Sequence, residues 1–307
     1  MLYGLDASVS GLSFQGLTRR RCGCYGFVAK LPKVLGQTLR VGCVALCVVL
    51  GCVPAQTRVD PDASYKRYLL GADYFNKGLV GPALEELLKA VELNPNNPDA
   101  HNLLGLVFLR KGAESEELSI RNQCLKGEEL KLEKQEGDGQ FKKAEEQFAK
   151  AISLKPDFSE ARNNLAVVMI HFGRYEEAAQ LEEKAVSNIV YHEPFVAQGN
   201  LGWAYLEKHD YARAAKALRQ ALFEQPKFCV GRYRLAKVYY ETQEWERAGE
   251  ELEQVVGDKA CPIQEAYQLA GLVALRREQR DKAKALFARC VELAPRSCLA
   301  SECKLAQ

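Results

Sequence analysis

Along most of the chain apolar residues return every three or four positions, as in Leu84, Leu87, Leu88 and Val91. That spacing lays one hydrophobic stripe along a helix and leaves the opposite face polar. Each such helix needs a neighbour to cover its stripe. A longer period orders the stripes. Gly71, Tyr74, Ala83, Ala90 and Pro95 stand 3, 9, 7 and 5 residues apart, and Gly202, Tyr205, Ala214, Ala221 and Pro226 repeat those intervals without a shift. Partial copies begin at Gly105 with Phe108, Ala144, Ala151 and Pro156, and at Ala166 with Met169, Ala178 and Ala185. Two more begin at Ala236 with Tyr239, Ala248 and Val255, and at Gly271 with Ala274, Ala283, Cys290 and Pro295. The six anchors follow one another at 34, 61, 36, 34 and 35 residues. Small residues at the anchor and alanine places let paired helices approach closely, and proline stops the second helix and opens the next turn.

This spacing resembles the tetratricopeptide repeat, in six copies over residues 64–297. The resemblance implies an all-α, right-handed superhelix of about six repeats. It is one continuous body and not two domains, because each pair buries its apolar face only by stacking on the next. Residues 298–307 are then a tail. Phe108 and Ala144 lie 36 apart where nine is the interval elsewhere, an insertion of 27 residues at about 112–139. Its glutamate, lysine and leucine predict a charged helical arm or an early extension of the second helix. Its composition leaves open both a solvated protrusion and a partner-binding arm.

In such a superhelix the concave surface comes mainly from the first helix of each pair. Counting from the anchors places there Tyr65, Tyr68 and Phe75, then Asn102, Leu106 and Leu109, then Asn163, Val167 and Ile170. Trp203 and Leu206, and Tyr233 and Tyr240, continue the face. Aromatic and aliphatic groups grouped on one surface mark a protein partner, and a groove suits an amphipathic helix or an extended segment. Error in placing helix boundaries is expected to put about a third of these side chains inside the superhelix instead.

The first fifty residues differ in kind. Arg19, Arg20, Arg21, Lys30, Lys33 and Arg40 face a single acid, Asp6, and then Val41 to Leu50 carry no charge. Ten apolar residues are too few to span a bilayer, and a basic flank before them is the order of an export signal. Val49, Leu50, Gly51 and Cys52 resemble the bacterial lipobox. That resemblance implies that residues 1–51 are removed, that Cys52 is lipidated, and that residues 52–63 form a polar linker. A start codon placed too early would account for the length of the leader. A plain cleaved signal and a buried apolar segment are the alternatives. Val53, and not aspartate, follows the cysteine, which points to the outer membrane.

Charge adds an exclusion. The whole chain has 42 basic and 40 acidic residues, and without residues 1–51 the balance is 36 against 39. Neither supplies the basic excess that nucleic-acid binding requires. Four scattered histidines and the absence of H-E-x-x-H, G-x-x-x-x-G-K-[ST] and G-x-S-x-G patterns leave no candidate for catalysis. The expectation is a binding protein without cofactor, metal or small-molecule substrate. The lysine, asparagine and arginine clamp by which tetratricopeptide co-chaperones resemble one another is not matched, since the comparable first-repeat places hold Tyr68 and Ala72, which speaks against a clamp for chaperone tails.

Residues 161–178, A-R-N-N-L-A-V-V-M-I-H-F-G-R-Y-E-E-A, and 200–208, N-L-G-W-A-Y-L-E-K, resemble the type IV pilus biogenesis lipoproteins of the PilF, PilW and Tgl group. The resemblance implies a pilotin, an outer-membrane lipoprotein on the periplasmic face that helps secretin subunits assemble into the ring through which the pilus passes. The insertion departs from the shorter members. The alternative is a general periplasmic adaptor lipoprotein that scaffolds cell-envelope enzymes. Six cysteines lie beyond Cys52: Cys124, Cys229, Cys261, Cys290, Cys298 and Cys303. In an oxidising compartment the expected pairs are Cys229 with Cys261 and Cys290 with Cys303, each joining parts of the superhelix expected to be adjacent. Free buried thiols are the alternative, and zinc is less suited because no C-x-x-C pair is present.

Overall fold

A computed structural model describes residues 59–306. The expectations for residues 1–51 and for lipidation at Cys52 lie outside the described residues. Helices pair along the chain: α1 (Pro61–Asn76) with α2 (Val80–Leu93), α3 (Pro98–Glu116) with α4 (Gly127–Leu154), and α5 (Ser159–His171) with α6 (Tyr175–Val186). Then follow α7 (Pro194–Glu207) with α8 (Tyr211–Glu224), α9 (Cys229–Glu241) with α10 (Trp245–Gly257), and α11 (Gln264–Arg276) with α12 (Arg280–Leu293). A last helix, α13 (Cys298–Leu305), occupies what was expected to be a tail. Among the described residues there is no strand, and no helix is long and apolar enough to cross a membrane. The described residues form an all-helical stack of six helix pairs closed by α13.

Local chemistry sets where each helix begins and ends. Asp60, Asn97, Asp210 and Ser297 accept hydrogen bonds from the backbone N–H three residues on, capping α1, α3, α8 and α13. Pro61, Pro98 and Pro194 open their helices, where no N–H is missed. Inside five repeats the first helix stops in the same way. The residue seven after the anchor, Gly78, Gly173, His209, Gln243 or Glu278, takes a left-handed conformation with φ between 60° and 74°. The next N–H then bonds back five residues, as in Leu79 to Tyr74 and Asp210 to Tyr205, both 2.9 Å. Turns within repeats therefore lie on one edge of the superhelix and turns between repeats on the other.

The second repeat breaks this rule. Gly112 holds the place of the turn, yet α3 runs on through it and through a π-helical turn, Glu117–Asn122. The chain reverses only at Gln123–Lys126, and α4 returns over 28 residues. Both helices of the pair are extended. Gly137 does not interrupt α4, and Gly112 lets the two helices lie close, since a Cβ there would stand 2.8 Å from the Phe141 ring.

One contact recurs through the core. A Cβ added to Gly71 would sit 2.7 Å from Leu87, and one added to Gly105, Gly202 or Gly271 would sit 2.5 Å from Phe148, Leu218 or Phe287. All four large side chains are fully buried. Glycine at the anchor thus admits a large side chain from the second helix, and Ala83, Ala144, Ala178, Ala214, Ala248 and Ala283 keep the pair close beside it. Three disulfides tie the stack. Cys229 joins Cys261 and Cys290 joins Cys303, each between adjoining elements. Cys124 joins Cys298 across 174 residues, with Cα atoms 4.7 Å apart, and so fastens the extended second repeat to the start of α13.

Two consequences can be measured. Gly202→Val is expected to cost about 1–3 kcal/mol in urea unfolding, because the added methyls overlap Leu218 and the Ala214 carbonyl. Non-reducing peptide mapping should recover Cys124 linked to Cys298, and the Cys124→Ser/Cys298→Ser chain should lose about 2–5 kcal/mol relative to the oxidised protein.

Candidate partner-binding groove

The concave face carries a row of half-buried groups from the first helices: Tyr68, Asn102, Leu106, Val167, Trp203, Tyr233 and Tyr240, with Tyr65 more exposed at the start. Tyr65 and Tyr68 have ring centres 6.0 Å apart. Burial, with Asp99 nearby, raises the Tyr68 pKa, so its hydroxyl remains a donor. Tyr240 meets Trp245 edge to face at 5.3 Å, and Arg276 lies 5.7 Å from the Trp245 ring. Trp245 belongs to a second helix, which is why counting along first helices missed it.

Five residues expected on this face are interior instead: Phe75, Leu109, Asn163, Ile170 and Leu206. Four of them stand four residues after an anchor. There the side chain enters the layer between successive first helices: Phe75 packs in a cluster with Leu104 and Val107, while Leu109, Ile170 and Leu206 belong to the long central core. Tyr240, in the same register, stays half exposed. Asn163 is buried because its Oδ1 accepts a hydrogen bond from Asn200 Nδ2 at 3.0 Å.

That bond is one rung of a polar ladder between repeats. Asn164 Nδ2 donates to Asn102 Oδ1 at 3.1 Å, joining the second and third repeats. Arg234 Nη1 donates to Asn200 Oδ1 at 3.1 Å and to the Gly199 carbonyl at 3.2 Å, joining the fourth and fifth. The Arg234 guanidinium lies 4.2 Å from the Trp203 ring. Trp203 Nε1 and Lys237 Nζ both donate to Glu207 Oε1 at 3.3 Å. Trp203 is therefore held from beneath by a cation and at its edge by a carboxylate. Burial lowers the Arg234 pKa, against the pull of Tyr233, Glu207 and Glu182, and the guanidinium still carries its charge at neutral pH.

Glu182 was not singled out from the sequence, although the repeat register exposes it. Sixteen residues after each anchor, allowing for the insertion, stand Leu87, Phe148, Leu218, Leu252 and Phe287; the third repeat has Glu182. It is fully buried, and neither carboxylate oxygen makes a hydrogen bond of normal geometry. Burial raises its pKa well above the usual carboxylate range, while Asn200 and Arg234 pull the other way. Among the described residues, Cys229, Asp258 and Cys261 also gather ligand atoms within 4.8 Å, but the two sulfurs are bonded to each other.

Known proteins share this architecture. Models of the TPR repeat match residues 71–112, and models of the tetratricopeptide repeat match residues 137–186, 205–272 and 264–297, together more than half of the chain. The gap after 112 coincides with the insertion. The type IV pilus assembly protein PilF of Pseudomonas aeruginosa is 26% identical over 195 residues, covering 61% of this chain and 67% of that protein. The solved structure of Pseudomonas aeruginosa PilF covers 80% of this chain and 98% of its own, with a TM-score of 0.61 at 22% identity. That of PilW, a type IV pilus biogenesis factor, covers 78% and 97%, with a TM-score of 0.59 at 19% identity. Cut9–Hcn1, a hetero-tetramer of the APC/C, reaches 0.64 at 15% identity and covers 80% of this chain but 43% of its own.

Glu182 provides a test of the buried network. A carboxyl whose pKa is higher folded than unfolded costs nothing while both states are protonated. The cost grows as pH rises through the ordinary glutamate value of 4.5 and levels off above the folded value. Glu182→Leu, which restores the residue type of the other repeats, is expected to raise stability by about 1–4 kcal/mol at neutral pH. Urea unfolding across pH should show the gain shrinking towards acid.

Proposed function

This chain belongs to the tetratricopeptide-repeat family, and from that premise we propose that it is a non-enzymatic pilotin. In this reading it is an outer-membrane lipoprotein, tethered through Cys52 on the periplasmic face. It binds secretin subunits of the type IV pilus in its concave groove and promotes their assembly into a ring. The observation that carries the reading is the sequence likeness to the type IV pilus assembly protein PilF, which supports a pilus-related role. The fold alone would not choose it, because the same superhelix recurs in the APC/C.

The geometry suits the task. Tyr65, Tyr68, Trp203, Tyr233 and Tyr240 offer broad rings with polar tips, the side-chain types that contribute most where a partner segment is desolvated. The asparagine and arginine rungs hold successive first helices in register, so less ordering entropy is lost on binding. The groove works by affinity and placement: it holds a subunit while the tether keeps that subunit at the membrane.

The test is heat-resistant secretin multimers in the outer-membrane fraction. Deletion of the gene is expected to abolish them and the wild-type gene to restore them. Cys52→Ala and Tyr68→Ala/Trp203→Ala should each restore about a tenth or less, with the folded state of the second variant checked by circular dichroism. Normal multimers in the deletion strain would overturn the pilotin reading and move the general adaptor to first place.

A further inference from the structure

On the edge where one repeat hands over to the next, the third and fourth repeats expose large apolar side chains. Four and five residues after the last small residue of a repeat, the turns hold Asn94 and Pro95, Lys155 and Pro156, Gln225 and Pro226, Lys259 and Ala260, or Ala294 and Pro295. The third repeat instead has Ile189 and Val190, 98% and 69% exposed. Two residues after the same small residue stand Glu92, Ser153, Ser187, Gly257 and Glu292; the fourth repeat has Phe223, 82% exposed. Both departures from the repeat fall on one edge and in successive repeats.

The turn is built to hold its apolar pair outward. Asn188 Nδ2 donates to the Asp157 carbonyl at 3.1 Å and to Ser159 Oγ at 2.8 Å, and Asn188 Oδ1 accepts from the Val190 N–H at 3.2 Å. On the other side Tyr191 is buried against Ala185 and Ala197. Ile189 and Val190, pinned at both ends, cannot fold back into the core.

Two observations choose the occupant. The chain enters the superhelix on this same edge, since the Asp60 N–H bonds to the Leu93 carbonyl at the end of α2 at 2.9 Å. Cys52 lies eight residues before Asp60, a reach of at most about 29 Å. A lipid at Cys52 would therefore hold the first-repeat end of this edge within that reach of the bilayer. Three side chains also cover well under the ~800 Å² per partner that a stable protein interface buries, whereas a few apolar groups suffice to enter a membrane interface once a tether holds them there. Residues 186–193 and 222–228 hold one lysine, Lys227, against Glu193 and Glu224, so the attraction is to acyl chains and not to anionic headgroups.

From this placement we infer that Ile189, Val190 and Phe223 form a second membrane contact, inserting into the lipid interface and fixing the orientation of the tethered superhelix. The inference rests on the lipoprotein reading above.

The test uses chains purified from membranes and placed in phosphatidylethanolamine–phosphatidylglycerol vesicles containing brominated lipid. Ile189→Trp, Phe223→Trp and, on the opposite edge, Ala212→Trp each add one fluorophore, with the emission of wild type subtracted. Brominated lipid is expected to quench the first two about twofold, independently of salt, and to leave the Ala212→Trp chain unchanged. Equal emission from all three in chains whose Cys52 carries lipid by mass spectrometry would overturn the inference and leave the lipoprotein reading standing. Emission from the Ile189→Trp chain that shifts with protein concentration in the absence of vesicles would assign the patch to a second copy instead. A chain without lipid at Cys52 would remove the tether and overturn both together.

Discussion

Every level of this molecule depends on one contact: a residue with little or no side chain on the first helix of a repeat, facing a large apolar side chain sixteen places later on the second. Gly71 with Leu87, Gly202 with Leu218 and Gly271 with Phe287 bring the paired helices to a spacing that no larger anchor would permit. The spacing repeats because the contact repeats, and the superhelix is the sum of identical local decisions. Alanine is consequently the commonest residue of its interior, set among larger aliphatic and aromatic side chains. Glu182 stands in that column as the single charged member. Its burial is costly by itself, and it lies beside the asparagine and arginine rungs that join the third, fourth and fifth repeats. The middle of the stack thus gives up apolar packing for polar connection.

The concave face follows from the same register. Positions just before an anchor point into the groove or across to the next first helix, so the ladder and the aromatic row share one surface. Trp203 shows how closely the two are joined: its ring lies against Arg234, whose other contacts are with Asn200 and the backbone of Gly199. A groove held from beneath in this way presents its rings in a fixed pattern.

Most of the fold was legible because periodic constraint leaves its mark many times over. Six anchors and their alanines are enough to number the six helix pairs, though not α13 beyond them. What escaped was aperiodic or silent in the pattern. His209, Gln243 and Glu278 take the left-handed conformation that Gly78 and Gly173 announce, and nothing in their side chains says so. Gly112 and Gly137, by composition, look like breaks, yet both lie within helices, and at Gly112 the missing side chain makes room for the Phe141 ring of the returning helix. In the groove, Phe75, Leu109, Ile170 and Leu206 were placed one layer too far out, since one helical register faces both the groove and the next first helix. Glu182 stands in plain sight sixteen residues after Ala166, at a place that neither the anchors nor the alanines mark. The Cys124–Cys298 bond left no local sign at all, because its two ends meet only after four further repeats have been stacked between them.

That bond also orders the molecule in time. A chain made from its amino terminus presents Cys124 long before any cysteine to which it is joined, and the next to appear, Cys229, belongs to another pair. The bonds spanning 32 and 13 residues can close as soon as their own neighbourhoods exist, while the bond spanning 174 must wait for the whole array. Its closure is a record of completion: a molecule carrying it has assembled all its repeats in the proper order, and one that pairs Cys124 early carries a lasting mark of the error.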